Sequence, residues 1–225
     1  MVDMPDPVPV LTIDGPGGSG KGAVSAIMVT NLKWHYLDSG ALYRVVGLLA
    51  WQKGLGFEDG MELSIAAKEM RCTFRDGQTF LDQEPVDDQI RTEQGGDRAS
   101  RVAQHPEVRE ALLQWQRNRA KPPGLVADGR DMGTVVFPQA TCKIFLTASA
   151  KSRAERRFNQ LRLKGFDVTI EQIFEDIRER DERDATRFVS PLKPAEDAVV
   201  LDTTEMSIDE VVETVSELLK LRLSS

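Results

Sequence analysis

Cysteine is scarce. The only two in 225 residues, Cys72 and Cys142, lie far apart and have no histidine or cysteine neighbours at metal-ligand spacing, which argues against a thiolate metal site and for reduced, intracellular thiols. Long hydrophobic runs are missing: no stretch approaches the length of a membrane span, so no membrane partner is expected. The N-terminal MVDMPDPVPV has no basic region and no long apolar core, so no signal peptide is expected either, and a cytoplasmic location follows. Basic excess is also lacking. With 29 Lys and Arg against 36 Asp and Glu, the net charge is −7. This argues against a nucleic-acid polymer as the main partner, yet leaves room for a small basic pocket. No internal repeat and no low-complexity linker interrupts the chain. At 40% hydrophobic and 29% charged residues, it reads as one globular domain long enough to bury a core.

What is present is concentrated in residues 8–21, VPVLTIDGPGGSGK. Residues 8–14 are apolar and β-branched, bounded by Pro5, Pro7 and Gly15, the pattern of a buried parallel strand. Gly15, Gly17, Gly18, Gly20 and Lys21 follow, and from Gly20 to Leu32 the pattern is helical. A strand, a glycine turn and a helix start together make an anion site, with backbone N–H groups aimed at a phosphate. Two motifs compete here. Gly15-x-Gly17-x-x-Gly20, with Asp38 downstream, fits a dinucleotide fingerprint; Gly15-x-x-x-x-Gly20-Lys21 fits the phosphate loop of nucleoside triphosphate enzymes. The lysine favours the second, because a positive charge past the last glycine is useful against β- and γ-phosphates. The strict pattern wants Ser or Thr next, and here Gly22 and Ala23 stand instead.

Along the chain, residues 35–38 read as a second strand, and Ser39 as the cap of a helix to about Lys53. Residues 62–70 form a short helix. Residues 71–75, 79–81 and those around Val86 alternate as a small antiparallel insert with a turn at Asp76-Gly77. Residues 88–104 and 106–120 read as two helices, 124–128 as a third buried strand and 141–146 as a fourth. Ser149 begins a charged helix to about Lys164. Thr169-x-x-Gln172 opens another to about Asp181. Residues 198–202 are the last strand, and Ser207-x-x-Glu210 caps a final helix to Leu221. Alternating strands and helices mean an α/β fold with a parallel sheet whose ligands sit at the strands' C-terminal ends. Asp14-Gly15, Asp38-Ser39 and Asp128-Gly129-Arg130-Asp131 all fall there. Eight arginines between Arg153 and Arg187 either lace solvated helices or line a closing lid. Arg180, Asp184 and Arg187, one face of a helix beside a loop, favour the lid, because phosphoryl transfer needs guanidinium groups on a movable piece that shuts out water.

With LDSGALYR at 37–44, VREALL at 108–113, DGRDMGTVVFP at 128–138 and ERDERD at 179–184, the sequence resembles the bacterial cytidylate kinases from about Pro9 to Leu219. The resemblance implies a P-loop nucleoside monophosphate kinase fold: a five-stranded parallel sheet flanked by helices, with an NMP-binding insert and a lid. A single domain would have its core at about 8–60, 106–150 and 195–225, the insert at about 61–105 and the lid at about 151–192. It implies transfer of the γ-phosphoryl group of ATP to CMP or dCMP with Mg²⁺, no side chain being assigned as a metal ligand, and a monomer. By motif, Gly15, Pro16, Gly17, Gly18, Ser19, Gly20, Lys21, Gly22 and Ala23 would wrap the ATP phosphates, with Arg157 from the lid. Ser39, Arg44, Arg130 and Arg187 would surround the CMP phosphate and the migrating group, and Tyr43 would also bind the substrate; Ser100, Arg109 and Asp131 would read the cytosine edge; Arg180 and Asp184 would hold the sugar. Lys21, Arg130, Arg180 and Arg187 would carry catalysis. The family reads Gly-Lys-Gly-Thr where Ala23 stands, so a hydroxyl expected on phosphate or a magnesium water is gone and a slower enzyme is expected. Arg109 and Asp131 argue against UMP, AMP or a shikimate-like alcohol as acceptor, and Lys21 against a dinucleotide-dependent oxidoreductase; a nucleotide-binding module without turnover is the remaining alternative.

Overall fold

The computed structural model describes residues 8–75, 77–163 and 165–224; Pro5, Pro7, Asp76 and Lys164, used above as element bounds, lie outside the described residues. The chain begins β1 (Val10–Asp14), α1 (Lys21–Leu32), β2 (His35–Asp38), α2 (Ser39–Gln52) and α3 (Gly60–Glu69). It continues through β3 (Cys72–Arg75), β4 (Gln78–Leu81), β5 (Glu84–Pro85), α4 (Asp87–Ile90), α5 (Glu93–Val102) and α6 (Pro106–Arg117). Then come β6 (Leu125–Gly129), a π-helical turn (Met132–Val136), β7 (Cys142–Thr147), α7 (Ala150–Leu163), α8 (Ile170–Thr186), β8 (Val199–Asp202) and α9 (Ile208–Leu223).

Five strands pair in the order β2-β6-β1-β7-β8, each pair parallel. β1 is central and buried along its whole length, as its β-branched run requires. Alternate residues serve opposite faces. Leu11, Ile13 and Ile144 pack under Val24 and Met28 of α1 and Val215 of α9, whereas Val10, Leu125 and Ala127 pack against Met132 and Val136 of the π-helical turn. A separate antiparallel sheet, β3-β4-β5, adjoins a core of α2, α3, α5 and α6 built on Leu42, Val46, Leu63, Val102 and Leu112. Register brings the strand ends into line: Asp14 sits opposite Gly129, and Asp38 opposite Asp128. Three carboxylates therefore stand in a row where the sheet meets its loops.

Local structure corrects three expectations. Ser39 is not the cap of α2: Asp38 is, its Oδ1 accepting from the Ala41 N–H at 2.8 Å. A carboxylate one residue earlier reaches the first-turn donors, and Ser39 becomes a buried helical residue. The helix expected over 88–104 breaks after Ile90; Thr92, extended, restarts it by accepting from the Gly95 N–H at 3.0 Å. And α8 runs on to Thr186, so Arg180 and Asp184 are helical while Arg187 is the first residue past the end.

Candidate active site

The loop between β1 and α1 is built around its glycines. Gly15 has φ +147, and a Cβ there would lie 2.0 Å from the Leu146 carbonyl oxygen of β7; no side chain fits between the strands. Gly20 ends the loop in the left-handed region at φ 93 and starts α1 without a side-chain cap, leaving the first-turn N–H groups free for an anion. Lys21 is buried and its Nζ donates to the Pro16 carbonyl at 3.0 Å. Ser19 donates to the same carbonyl at 3.0 Å, so its hydroxyl braces the loop. The loop also has a clamp that sequence reading missed: Arg153 of α7 donates to the Gly17 carbonyl at 3.1 Å and to Asp181 of α8. One arginine among eight carried no signal of this.

Two adjoining cavities open at the C-terminal ends of the strands. The inner one is lined by every expected substrate residue except Arg44: Ser39, Tyr43, Ser100, Arg109, Arg130, Asp131, Arg180, Asp184 and Arg187. The outer one is lined by Gly17, Gly18, Lys21, Arg44, Asp128 and Arg157, among others, and shares Gly40, Arg130 and Arg180 with the inner one. Of the expected ATP-contacting residues, Gly15, Pro16, Ser19, Gly20, Gly22 and Ala23 do not line it; Ala23 is exposed on the first turn of α1. Arg44 is turned toward the outer cavity, where the carbonyls of Ile90 and Thr92, at the break between α4 and α5, accept from its Nη1 at 2.5 and 3.2 Å. Arg130 is held by Asp184, Nε to Oδ2 at 2.9 Å. The phosphate loop passes close by: a Cβ on Gly17 would lie 3.7 Å from Arg130 and 3.8 Å from Arg180. Arg109 and Asp131 form a buried ion pair. From α7 and α8, Arg157 pairs with Glu93 at 2.6 Å and Arg183 with Asp97 at 2.7 Å, both on α5.

A crowded positive field results. Burial, then Arg130, pushes the Lys21 ammonium down to about 7. Burial, then Arg130, lowers Arg180 to about 10. Burial raises Asp128 to about 6 against the pull of Lys21. Asp184 is held below the usual carboxylate range by Arg130, Arg187 and Arg180, which outweigh its burial.

A family model for cytidylate kinase matches residues 11–221. The chain belongs to the cytidylate kinase family. Within it, the cytidylate kinase of Pseudomonas aeruginosa (strain LESB58) is 54% identical over 214 residues, covering 92% of this chain and 93% of that one. The cytidylate kinase of Aeromonas hydrophila is 52% identical over 216 residues, covering 94% of each. A crystal structure of an uncharacterized protein from Eubacterium ventriosum, 10% identical, covers 94% of this chain and 98% of its own with a TM-score of 0.50, a likeness of fold alone. Membership makes this family member a nucleoside monophosphate kinase. Among the described residues no helix is long and apolar enough to cross a membrane.

Proposed function

We propose that this chain transfers the γ-phosphoryl group of ATP to CMP or dCMP, giving CDP or dCDP, as a cytoplasmic monomer. The observation that carries the reading is a set of buried polar atoms without protein partners: Ser100 Oγ, Arg109 Nε, Arg180 Nε and Arg187 Nη2, all on residues lining the inner cavity. Each unpaired buried group costs roughly 1–3 kcal/mol, so four around one cavity call for a polar ligand. Cytosine meets the demand. Its amino group donates to the Asp131 carboxylate, while Arg109 and Ser100 donate to its ring-nitrogen and carbonyl acceptors. Arg180 and Asp184 hold the sugar; Ser39, Arg44, Arg130 and Arg187 surround the CMP phosphate, and Tyr43 also binds the substrate. ADP formation from ATP with CMP, dCMP, UMP, AMP and GMP tests this. Turnover should be strong with the first two, weak with UMP and near background with purines. Equal rates with UMP would overturn the base assignment; background rates with every acceptor, in folded protein that binds ATP, would leave a nucleotide-binding module.

The acceptor phosphate is already an anion at neutral pH, so catalysis needs no general base, only positioning and charge neutralisation by Lys21, Arg130, Arg180 and Arg187. Among the described residues no three His, Cys, Asp or Glu are grouped to hold a metal by themselves. Mg²⁺ is ordinarily held by one or two carboxylates, waters and substrate phosphates. Asp128, at the end of β6 and lining the outer cavity with Lys21, would hold it. Bound Mg²⁺ would supply further positive charge against the ATP phosphates. Ala23 lacks the hydroxyl of its family counterpart, and Ala23→Thr is expected to raise kcat about tenfold or more and to lower the Mg²⁺ concentration for half-maximal rate. An unchanged kcat and Mg²⁺ curve would remove Ala23 from the account. In this reading β3–β5 and the neighbouring helices are the CMP-binding insert, and α7–α8 the lid, joined to the insert by the Arg157–Glu93 and Arg183–Asp97 pairs.

The depressed Lys21 predicts a pH dependence with a definite sign. In the free protein its ammonium loses its proton near pH 7; phosphates beside it favour the charged form and raise that value. At pH 6 Lys21 is protonated in both states and contributes nothing to the proton exchange on binding. At pH 8 the free lysine is mostly neutral and the bound one charged, so ATP binding takes up close to one proton, and affinity falls by up to about tenfold per pH unit above 7. Calorimetry at pH 8 in buffers of different ionisation heat measures the uptake. Lys21→Met should remove most of the uptake at pH 8, and zero uptake there by the unaltered protein would refute the assignment.

A further inference from the structure

Asp14 is buried at the end of β1, next to the phosphate loop, and the reaction just described gives it no role. Both its oxygens are committed elsewhere: Oδ1 accepts from the Met132 N–H at 2.9 Å and Oδ2 from the Gly133 N–H at 2.8 Å. These are the opening donors of the π-helical turn Met132–Val136, 118 and 119 residues away in sequence. Such donors are normally capped by the residue just before the turn, and aspartate is among the best caps. That residue is Asp131, whose carbonyl accepts from the Val135 and Val136 N–H groups at 2.9 and 3.2 Å. Yet its side chain makes no capping bond; it faces Arg109 in the inner cavity.

We propose that Asp14 is a positioning residue for pyrimidine selection: by capping the turn from another strand it frees the Asp131 carboxylate to face the base. The turn is pressed against the sheet at this point, since a Cβ on Gly133 would lie 3.0 Å from Thr12 Oγ1 and 3.2 Å from Lys143 Cδ. With the turn so seated, loss of one Asp14 acceptor leaves a buried N–H at a turn whose N-cap residue is Asp131, the ordinary source of a cap, and a carboxylate drawn into capping would give up its place beside Arg109. Burial pushes the Asp14 carboxyl up to about 7, and the Met132 and Gly133 N–H groups offset part of that cost.

The inference rests on the reading of Asp131 as the cytosine contact, and the test separates the two. In Asp14→Asn one oxygen becomes a donor facing a donor. The ratio of kcat/KM for CMP to that for UMP should fall about tenfold, with the KM for ATP within about threefold of the unaltered protein. Because it is a ratio, it does not depend on the fraction folded. Equal losses with CMP and UMP, or a loss confined to ATP, would overturn the inference. In an Asp131→Asn background, Asp14→Asn should lower the ratio no further; a second full loss there also overturns it. If Asp131→Asn alone leaves the ratio intact, the base assignment itself fails. Should Asp14→Asn not fold, the unaltered protein decides by amide exchange. CMP should slow the Met132 and Gly133 amides well beyond ATP alone, and equal slowing by both nucleotides counts against the role.

Discussion

Arg130→Met is expected to lower kcat by about 10³-fold or more, the size found when an arginine on a migrating phosphoryl group is removed. That is on the order of 4 kcal/mol of barrier. The expectation comes from position. Arg130 lines both cavities and lies beside the phosphate loop, where a Cβ on Gly17 would approach it to 3.7 Å. In the proposed reaction a guanidinium there would touch charge that develops between donor and acceptor, so the loss should fall on kcat more than on either KM. Folding should suffer less. Asp184 loses its 2.9 Å partner but keeps the field of Arg187 and Arg180. Arg130→Lys restores charge without the planar fork and should recover only part of the rate. Single-turnover kinetics with CMP measures both variants; a kcat within tenfold of the unaltered protein for Arg130→Met would remove it from the phosphoryl path.

Asp131→Asn should produce two effects at once. The amide presents a donor as readily as an acceptor, so preference for CMP over UMP should fall by about ten- to a hundredfold, the worth of roughly 1–3 kcal/mol of unpaired polar group. The same change leaves Arg109, 8% exposed at its side chain, without its charged partner. Breaking a buried pair costs about 3–5 kcal/mol, which in a domain of this size lowers Tm on the order of 10 °C. The effects separate cleanly because one is a ratio of rates and the other a melting temperature. A lowered Tm with an unchanged CMP-to-UMP ratio would make the pair structural and nothing more.

Much of this is legible in the sequence alone. The β-branched run before Gly15, with Lys21 after the glycines, is a local pattern: strand, turn and helix start follow from residues within a few positions of one another. The five strands, the capping box at Ser207 and Glu210 and the alternation around residues 71–86 are legible for the same reason. The short DGRD motif also pointed to the end of its strand without help from contacts. Local reading failed where two candidates stood side by side. Asp38 and Ser39 both cap well, and only the backbone of β2 decides which carboxylate or hydroxyl reaches the Ala41 N–H. It failed again at residues 91–92, where no proline marks the break and Gly95 lies hard against the Ile90 carbonyl, a Cβ there meeting it at 2.3 Å.

Composition and spacing therefore determined the α/β class, the phosphate loop and the residue types around it, because each depends on backbone geometry repeated over a few residues. Tertiary structure decided which of the many arginines matter. Arg153 clamps Gly17 across 136 positions, Arg130 meets Asp184 across 54 and Asp14 caps a turn 118 residues downstream. A charged side chain looks the same in sequence whether it is solvated or buried against a partner. Only the packing of β1 between β6 and β7, which lines up the strand ends, brings those partners within hydrogen-bonding distance and out of water.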